Sequence, residues 1–301
     1  MYTSIDQILD RARQIDKPRV VVVPAADEEH ALEAVLKAYN EKIVTPRLIG
    51  NPDKISRILK GLGGSQLEQF IIPCDDYDEC AQLAVDMCRE GDAQMMLKGA
   101  LQSAQYLKPI IQKETGLRLR GTLSAVAIQS VPRYHKVFAT TDSGVVMKPT
   151  LEQKKDMIIN AVETMRSAGF DSTIKVAVLT AVETVNPKMP ETEDAAALKE
   201  MNQRGEIPDC IVEGPISFDL AVMPAAVKAK RYESPVAGDA DLLVFPELAA
   251  ANIAGKAMIW ADVSSVGIIS GASVPIALPS RGSSVKSKYQ MLLFCASAVK
   301  Q

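Results

Sequence analysis

The chain has 301 residues, 47% of them hydrophobic and 24% charged, with 34 basic residues against 37 acidic ones and a formal charge of −3. These are ordinary globular values for a chain long enough to form about two domains, and the lack of a basic excess excludes a general nucleic-acid binder. No apolar run approaches the roughly 20 residues that span a bilayer, and the mixed, polar stretch 1–10 does not read as a secretion signal, so no membrane partner is expected.

The elements follow in order. Arg19-Val20-Val21-Val22-Val23-Pro24 predicts a buried parallel strand, because β-branched residues would fill both of its faces. Residues 28–42 place Leu32, Val35, Leu36 and Tyr39 on one helical stripe. A strand near 46–49, a helix over 53–60, a strand over 70–73, a helix over 76–89, a short strand over 94–97 and a helix over 103–113 continue the alternation. Such alternation implies right-handed βαβ crossovers and a mainly parallel sheet, an α/β fold.

At 123–131 and 136–140 two apolar runs are separated only by Pro132-Arg133-Tyr134-His135, a link that permits an antiparallel pair but no crossover helix. A domain boundary is placed here. Thr150 and Gln153 form a capping-box pattern for a helix that ends at Gly169. Strands over 175–179, 210–213 and 242–245 then alternate with helices over 191–204, 219–230 and 249–261. Strands over 266–269 and 275–278 lead into a last helix over 284–300.

The cysteines, Cys74, Cys80, Cys88, Cys210 and Cys295, are odd in number and form no Cys-x-x-Cys pair, so they read as reduced thiols of a cytoplasmic protein. With His30 and His135 the only histidines and neither near a cysteine cluster, no metal site is expected.

The clearest chemical signal is Pro279-Ser280-Arg281-Gly282-Ser283-Ser284, where a predicted strand end turns into a helix start. Ligands of open α/β sheets bind outside the carboxyl ends of strands, and a helix N-terminus offers unpaired N–H groups to an anion. Ser280, Ser283 and Ser284 add hydroxyls, Gly282 admits close approach, and Arg281 can grip phosphate oxygens bidentately. Serine is equally an ordinary helix cap. A second candidate is the helix following Phe245-Pro246, which carries Asn252 and Lys256 four residues apart, and which reads equally well as an alanine-rich packed helix. No Gly-x-x-x-x-Gly-Lys-Ser/Thr loop and no Gly-x-Ser-x-Gly elbow occurs.

Several blocks, in order, then fit one pattern: Met96-Leu97-Lys98-Gly99; Thr150-Leu151-Glu152-Gln153; Ala181-Val182-Glu183-Thr184-Val185-Asn186-Pro187-Lys188-Met189-Pro190; Val212-Glu213-Gly214-Pro215; Ser234-Pro235-Val236-Ala237-Gly238-Asp239-Ala240-Asp241; and Pro279-Ser280-Arg281. On these the chain resembles the phosphate acetyltransferase/phosphate butyryltransferase family, the butyryl branch most closely. The resemblance implies transfer of a short or medium acyl group between coenzyme A and inorganic phosphate, with coenzyme A as substrate and no metal or redox cofactor, by a homo-oligomer. It implies an architecture like that of isocitrate and isopropylmalate dehydrogenases, two α/β/α domains covering 1–122 with 271–301 and 123–270, with the cleft between them active. It assigns Ser280 and Arg281 to catalysis, and Gly282, Ser283, Ser284, Lys98, Lys108, Asn252, Lys256 and Asp241 to phosphate or coenzyme A binding.

The family's butyryl branch follows Ser-Arg with a small residue and an aspartate, where this chain has Gly282-Ser283, and no Asp or Glu occurs from 282 to 301. A second reading therefore stands beside the first, a relative that binds coenzyme A or acyl phosphate with little turnover in a regulatory or assembly role. A metal-dependent decarboxylating dehydrogenase would need clustered acidic ligands and a nucleotide site, and the sequence offers neither.

Overall fold

The structure is a computed structural model that describes every residue except Arg281, Lys300 and Gln301. In chain order it runs α1 (Ile5–Ala12), β1 (Arg19–Pro24), α2 (Glu29–Asn40), β2 (Val44–Gly50), α3 (Pro52–Gly61), a 3₁₀ turn (Ser65–Phe70), β3 (Ile71–Pro73), α4 (Tyr77–Glu90), β4 (Met95–Leu97) and α5 (Ser103–Ile110). Then come β5 (Ser124–Ser130), β6 (Phe138–Thr141), α6 (Leu151–Ser167), β7 (Ile174–Leu179), α7 (Pro190–Gln203), β8 (Cys210–Ile216), α8 (Phe218–Val222) and α9 (Pro224–Lys230). The chain closes with β9 (Leu242–Val244), α10 (Leu248–Trp260), β10 (Ser264–Ser270), β11 (Ile276–Ala277) and α11 (Val285–Ala298).

Two compact units emerge, a terminal unit of Ile8–Arg120 with Val266–Gln301 and a middle unit of Met1–Gln7 with Gly121–Ser265. Residues 1–7 are assigned to the first domain by sequence, yet they lie with the middle unit, where Val137 N donates to Tyr2 O at 3.0 Å and the Tyr2 ring meets Phe170 edge-on at 5.1 Å.

In the terminal unit the strands run β3-β2-β1-β4-β11-β10, all parallel except β10 against β11. β1 lies between β2 and β4, and its Val21, Val22 and Val23 are fully buried, as the run of valines predicts. Helix starts carry side-chain caps from Glu28 on α2, Asn51 on α3, Asp76 on α4 and Ser284 on α11, each satisfying backbone N–H groups left over in a first turn. Cys80 and Cys88 are buried on α4, and burial pushes the Cys88 thiol up to about 12, so these thiols pack as small apolar side chains.

The middle unit orders its strands β5-β6-β9-β7-β8, with β5 antiparallel to β6 and the rest parallel. Its core gathers Phe138, Leu179, Ile216, Leu220, Val236, Leu243 and Phe245. The helix predicted over 219–230 is two helices, α8 and α9, because Pro224 has no N–H to continue the ladder and restricts Met223 to an extended conformation. α5 ends at Ile110, one residue past Pro109 and earlier than the sequence suggested. α1 is absent from the predicted elements, although Ile5, Ile8, Leu9 and Ala12 keep helical spacing and are all buried.

Two glycines on helices and loops respond oppositely to a methyl group. A Cβ at Gly99 would stand 2.0 Å from the Ala25 carbonyl oxygen, whereas a Cβ at Gly255, inside α10, would meet nothing within 4 Å. Gly99→Ala should lose about 2–3 kcal/mol and Gly255→Ala should gain about 0.5–1 kcal/mol, read as opposite shifts of the urea unfolding midpoint.

Candidate active site

The β1-β4 boundary in the terminal unit is where strand order reverses, since β2 and β3 extend the sheet one way from β1 and β4 extends it the other. A crevice forms outside the carboxyl ends of the strands at such a switch point. Three chain segments leave the sheet there, after β1, β4 and β11.

After β11 the chain passes buried Pro279 into the turn 280–284. Ser283 N donates to Ser280 O at 3.1 Å, and the Ser280 and Ser283 hydroxyl oxygens lie 3.0 Å apart. Ser280 is exposed and Ser283 half-buried. Ser284 Oγ accepts from Ser287 N at 3.2 Å, so this hydroxyl caps α11 and is engaged by its own helix. Gly282 is exposed, with nothing within 4 Å of a would-be Cβ, so the fold does not demand glycine there. α11 has no acid in its first turn, leaving its positive dipole end uncompensated from within. Arg281 lies outside the described residues.

After β4 comes Lys98. Its N–H donates to Ala277 O at 3.1 Å, extending the parallel pair Leu97–Ala277, so residues 98–101 and 278–280 leave the sheet side by side. The Lys98 side chain is buried, and its Nζ donates to Leu101 O at 2.9 Å and Gly99 O at 3.2 Å. The ammonium ties its own loop into shape. Ala100 N donates to Ala25 O at 2.7 Å, bringing that loop against the end of β1.

After β1 the structure adds two acids that motif reasoning passed over. Asp27 Oδ2 accepts from Tyr77 Oη at 2.7 Å, and Lys54 Nζ lies 3.7 Å away; Asp27 Oδ1 is buried with no hydrogen-bond partner among the described residues. Burial and the neighbouring Asp27 carboxylate push the Tyr77 hydroxyl up to about 12. Glu28 caps α2 and forms an ion pair with buried Lys288 in the first turn of α11, linking the starts of both helices. Their sequence signal is an acid pair directly beyond a buried strand.

The remaining predicted residues lie elsewhere. Exposed Lys108 borders a shallow depression of about 180 Å³ with Asp78, Gln82, Gln105 and Gln112, and no contact among the described residues ties it to the turn. In the middle unit, Asn252 Nδ2 donates to Ser143 O at 3.2 Å, holding the loop beyond the carboxyl end of β6. Asp142 organises that same loop, its Oδ1 accepting from Ala125, Gly144 and Val145 and its Oδ2 from Val146. Burial pushes the Asp142 carboxyl up from its ordinary range while these N–H donors resist. Lys256 is exposed on α10.

Asp241 departs from its expected role. It stands at the amino end of β9, with Oδ1 taking Lys136 Nζ at 2.6 Å and Oδ2 taking Lys175 N at 2.9 Å. Both oxygens are engaged inside the unit, at the edge opposite to where such sheets bind ligands. Asp239 completes the cluster with Lys175 Nζ at 2.5 Å, His135 Nε2 at 2.8 Å and Lys136 Nζ at 2.9 Å. The Ser234–Asp241 block thus reads as a charge network that fastens the starts of β6, β7 and β9. The Glu213-Gly214-Pro215 block is structural as well: Glu213 Oε1 accepts from Lys199 Nζ at 2.7 Å, and a Cβ on Gly214 would come within 3.1 Å of Ala195 Cβ. Among the described residues no group of three or more His, Cys, Asp and Glu side chains converges as a metal cage.

The model of the family described as phosphate acetyl/butaryl transferase matches residues 75–296. The chain belongs to this family. It is 37% identical over 293 residues to a phosphate acetyltransferase of Thermotoga maritima, covering 97% of this chain and 98% of that one. With a phosphate butyryltransferase of Clostridium acetobutylicum it shares 33% identity over 297 residues, 98% of each. Among solved structures, a branched-chain phosphotransacylase from Enterococcus faecalis superposes with a TM-score of 0.80 at 30% identity, covering 93% of this chain and 99% of that one. The fold alone extends further, to a 4-hydroxythreonine-4-phosphate dehydrogenase from Salmonella typhimurium, TM-score 0.58 at 12% identity over 94% of this chain and 100% of that one. That likeness agrees with the dehydrogenase-like architecture expected from the sequence.

The Asp239 network makes a pH prediction. Burial alone would raise this carboxyl, but hydrogen bonds from Lys175, Lys136 and His135 outweigh it and hold the group well below its usual range. A depressed folded value contributes stability above the unfolded value of about 3.9, lost as pH falls through the folded one. Asp239→Asn should lower urea-unfolding stability at pH 7, and its stability should fall less steeply than that of the unmodified protein below about pH 4.

Proposed function

We propose that this chain transfers a short or medium acyl group reversibly between coenzyme A and inorganic phosphate, and that the turn 280–284 is where the phosphoryl group or acyl oxygen is held. The observation that carries the reading is the match of a phosphate acyltransferase family over residues 75–296, which includes this turn and the Lys98 loop lying beside it at one sheet edge.

The chemistry asks for little beyond positioned donors. Attack of a thiolate on an acyl phosphate, or of phosphate on a thioester, builds negative charge on the acyl oxygen, and preorganised donors lower that barrier. Ser280 Oγ, which is exposed and already paired with Ser283 Oγ, donates to the phosphate or the acyl oxygen. The first-turn N–H groups of α11 face the same anion, and Lys98 brings a buried positive charge to the neighbouring loop. Arg281 neutralises the charge that develops in the transition state. In the direction of acyl phosphate formation the acyl–sulfur bond breaks, phosphate oxygen bonds to the acyl carbon, and the thiolate leaves to regain a proton. Asn252 and Lys256 are proposed coenzyme A contacts, on a helix that begins beyond the carboxyl end of β9. From the family resemblance the enzyme is proposed to work as a homo-oligomer in the cytoplasm; its five cysteines are free thiols. No contact described above favours the second reading, binding without turnover.

Thiol release from acetyl-, propionyl- and butyryl-coenzyme A, each with and without phosphate, tests this. Phosphate-dependent release is expected for at least one of them, and phosphate-independent or negligible release for all three would overturn the proposal. Arg281→Ala should lower kcat by about 10²–10³-fold and Ser280→Ala by about 10²-fold, with unaltered circular dichroism; unchanged kinetics in either variant would remove that residue from the mechanism.

A further inference from the structure

Two of the free thiols in this chain stand at either end of one short turn. Cys74 directly follows β3 and Cys80 lies in the first turns of α4, with residues 75–79 between them. Cys74 is half-buried, while Cys80 is 0% exposed. Their contacts are reciprocal. Cys80 Sγ donates to Cys74 O at 3.6 Å, and Cys74 Sγ donates to Asp76 O at 3.4 Å, the carbonyl that also accepts from Cys80 N at 2.9 Å. Burial first, and then interaction with the Cys74 thiol, push the Cys80 thiol up to about 12, while the Ala25 N–H opposes that rise.

We infer that Cys74 and Cys80 form a modification site, a dithiol that a hydroperoxide oxidises reversibly to an intrachain disulfide. The inference goes beyond the acyltransferase reading and does not depend on it.

Three observations carry it. The first is reach. A disulfide needs Cβ atoms about 3.5–4.5 Å apart, and the Cys80 sulfur already touches the Cys74 carbonyl oxygen. Rotation of the Cys74 side chain away from Asp76 O, with a small adjustment of an exposed turn, completes the approach. The second is access. Cys74 is open enough to meet a peroxide, whereas Cys80 is closed to solvent and meets only what Cys74 brings to it. The third is contrast. Burial is the foremost cause acting on the Cys88, Cys210 and Cys295 thiols, and no second thiol acts on any of them.

The chemistry balances with peroxide as the oxidant. The Cys74 thiolate attacks one peroxide oxygen, so that an S–O bond forms, the O–O bond breaks, and hydroxide leaves to become water with the thiol proton. The Cys80 thiolate, favoured by the facing Ala25 N–H, then attacks the Cys74 sulfur. The S–S bond forms, the S–O bond breaks, and a second hydroxide leaves as water with the Cys80 proton. Together the two sulfurs give up two electrons, and one peroxide becomes two waters. Residues 75–79 include four acids and no Lys, Arg or His. Dedicated redox cysteines sit in electropositive surroundings, so bridging here is expected to be slow, on the order of minutes to hours. The bridge clamps a turn that reaches the candidate site, since Tyr77 within it holds Asp27 and the Ala25 carbonyl accepts from Ala100.

Treatment of the reduced, full-length chain with hydrogen peroxide tests this. Alkylation after denaturation should find two of the five thiols lost, the intact mass should fall by two hydrogens, and dithiothreitol should restore both thiols. Cleavage after Glu79 places Cys74 and Cys80 on separate peptides, which should stay joined until reduced, and Cys88→Ser should leave that join in place. In Cys80→Ser, dimedone should trap Cys74 as its sulfenic acid. In Cys74→Ser, a change at a partly open position, peroxide should leave Cys80 a free thiol, with circular dichroism unchanged. A bridge to any other cysteine, an unbridged sulfinic acid at Cys74 in the unsubstituted chain, no loss of thiols after hours, or oxidation of Cys80 in Cys74→Ser would overturn the inference. None of these readouts uses acyl transfer, so loss of the enzymatic proposal and loss of this one are told apart.

Discussion

Gly99 passes so near the end of β1 that the Ala25 carbonyl occupies the space of any side chain it would carry, while Ala100 N donates to that same carbonyl. This close approach ties the exit of β4 to the exit of β1, and the parallel pairing of β4 with β11 ties both to the turn before α11. Lys98 then turns its ammonium inward to close the loop on its own carbonyls, and the ion pair of Glu28 with Lys288 joins the first turns of α2 and α11. A backbone turn that is to greet an anion with fixed N–H groups must not relax when the anion arrives. Here the rigidity comes from three neighbouring strands whose ends are stitched to one another by backbone contacts.

The two edges of the parallel sheets carry different kinds of polarity. At the amino edge of the middle unit, Asp239 and Asp241 are fully occupied by Lys136, Lys175 and His135, a network whose charges satisfy one another inside the fold. At the carboxyl edge, polar groups are held in place but not exhausted: Ser280 is exposed, and Asp27 retains a buried oxygen without a partner among the described residues. The same residue types stand at both edges, and their position along the strand separates those whose partners are complete from those whose partners are not.

Most of the architecture was legible because it rests on local patterns. A run of valines can only be a strand buried on both faces, and the four residues between the runs at 123–131 and 136–140 permit only an antiparallel partner. What escaped depended on less local causes. α1 sits in a polar stretch, and its stripe of Ile5, Ile8, Leu9 and Ala12 has meaning only once a core exists to bury it. The break between α8 and α9 was written in Pro224, a signal masked by the apolar residues on both sides. For the candidate site, sequence pointed to the turn by its composition and its family pattern, but it could not tell that Ser284 caps α11 or that Asp241 is engaged by lysines. Block identity marks residues that a fold keeps, and a fold keeps charge networks and tight glycines as firmly as it keeps ligand contacts. Asp27 was missed for the opposite reason, since a single acid after a strand has no motif of its own.

Gly282 carries a consequence for how such a site can change over time. Among the described residues beyond its chain neighbours, nothing lies within 4 Å of where a side chain would stand. A side chain there would meet no steric opposition from the described residues, so under the proposed function a variant at this position would be tested by substrate rather than by folding. Under that proposal, the turn is a point from which new acyl or phosphate preferences can be explored step by step, each variant arriving with an intact scaffold.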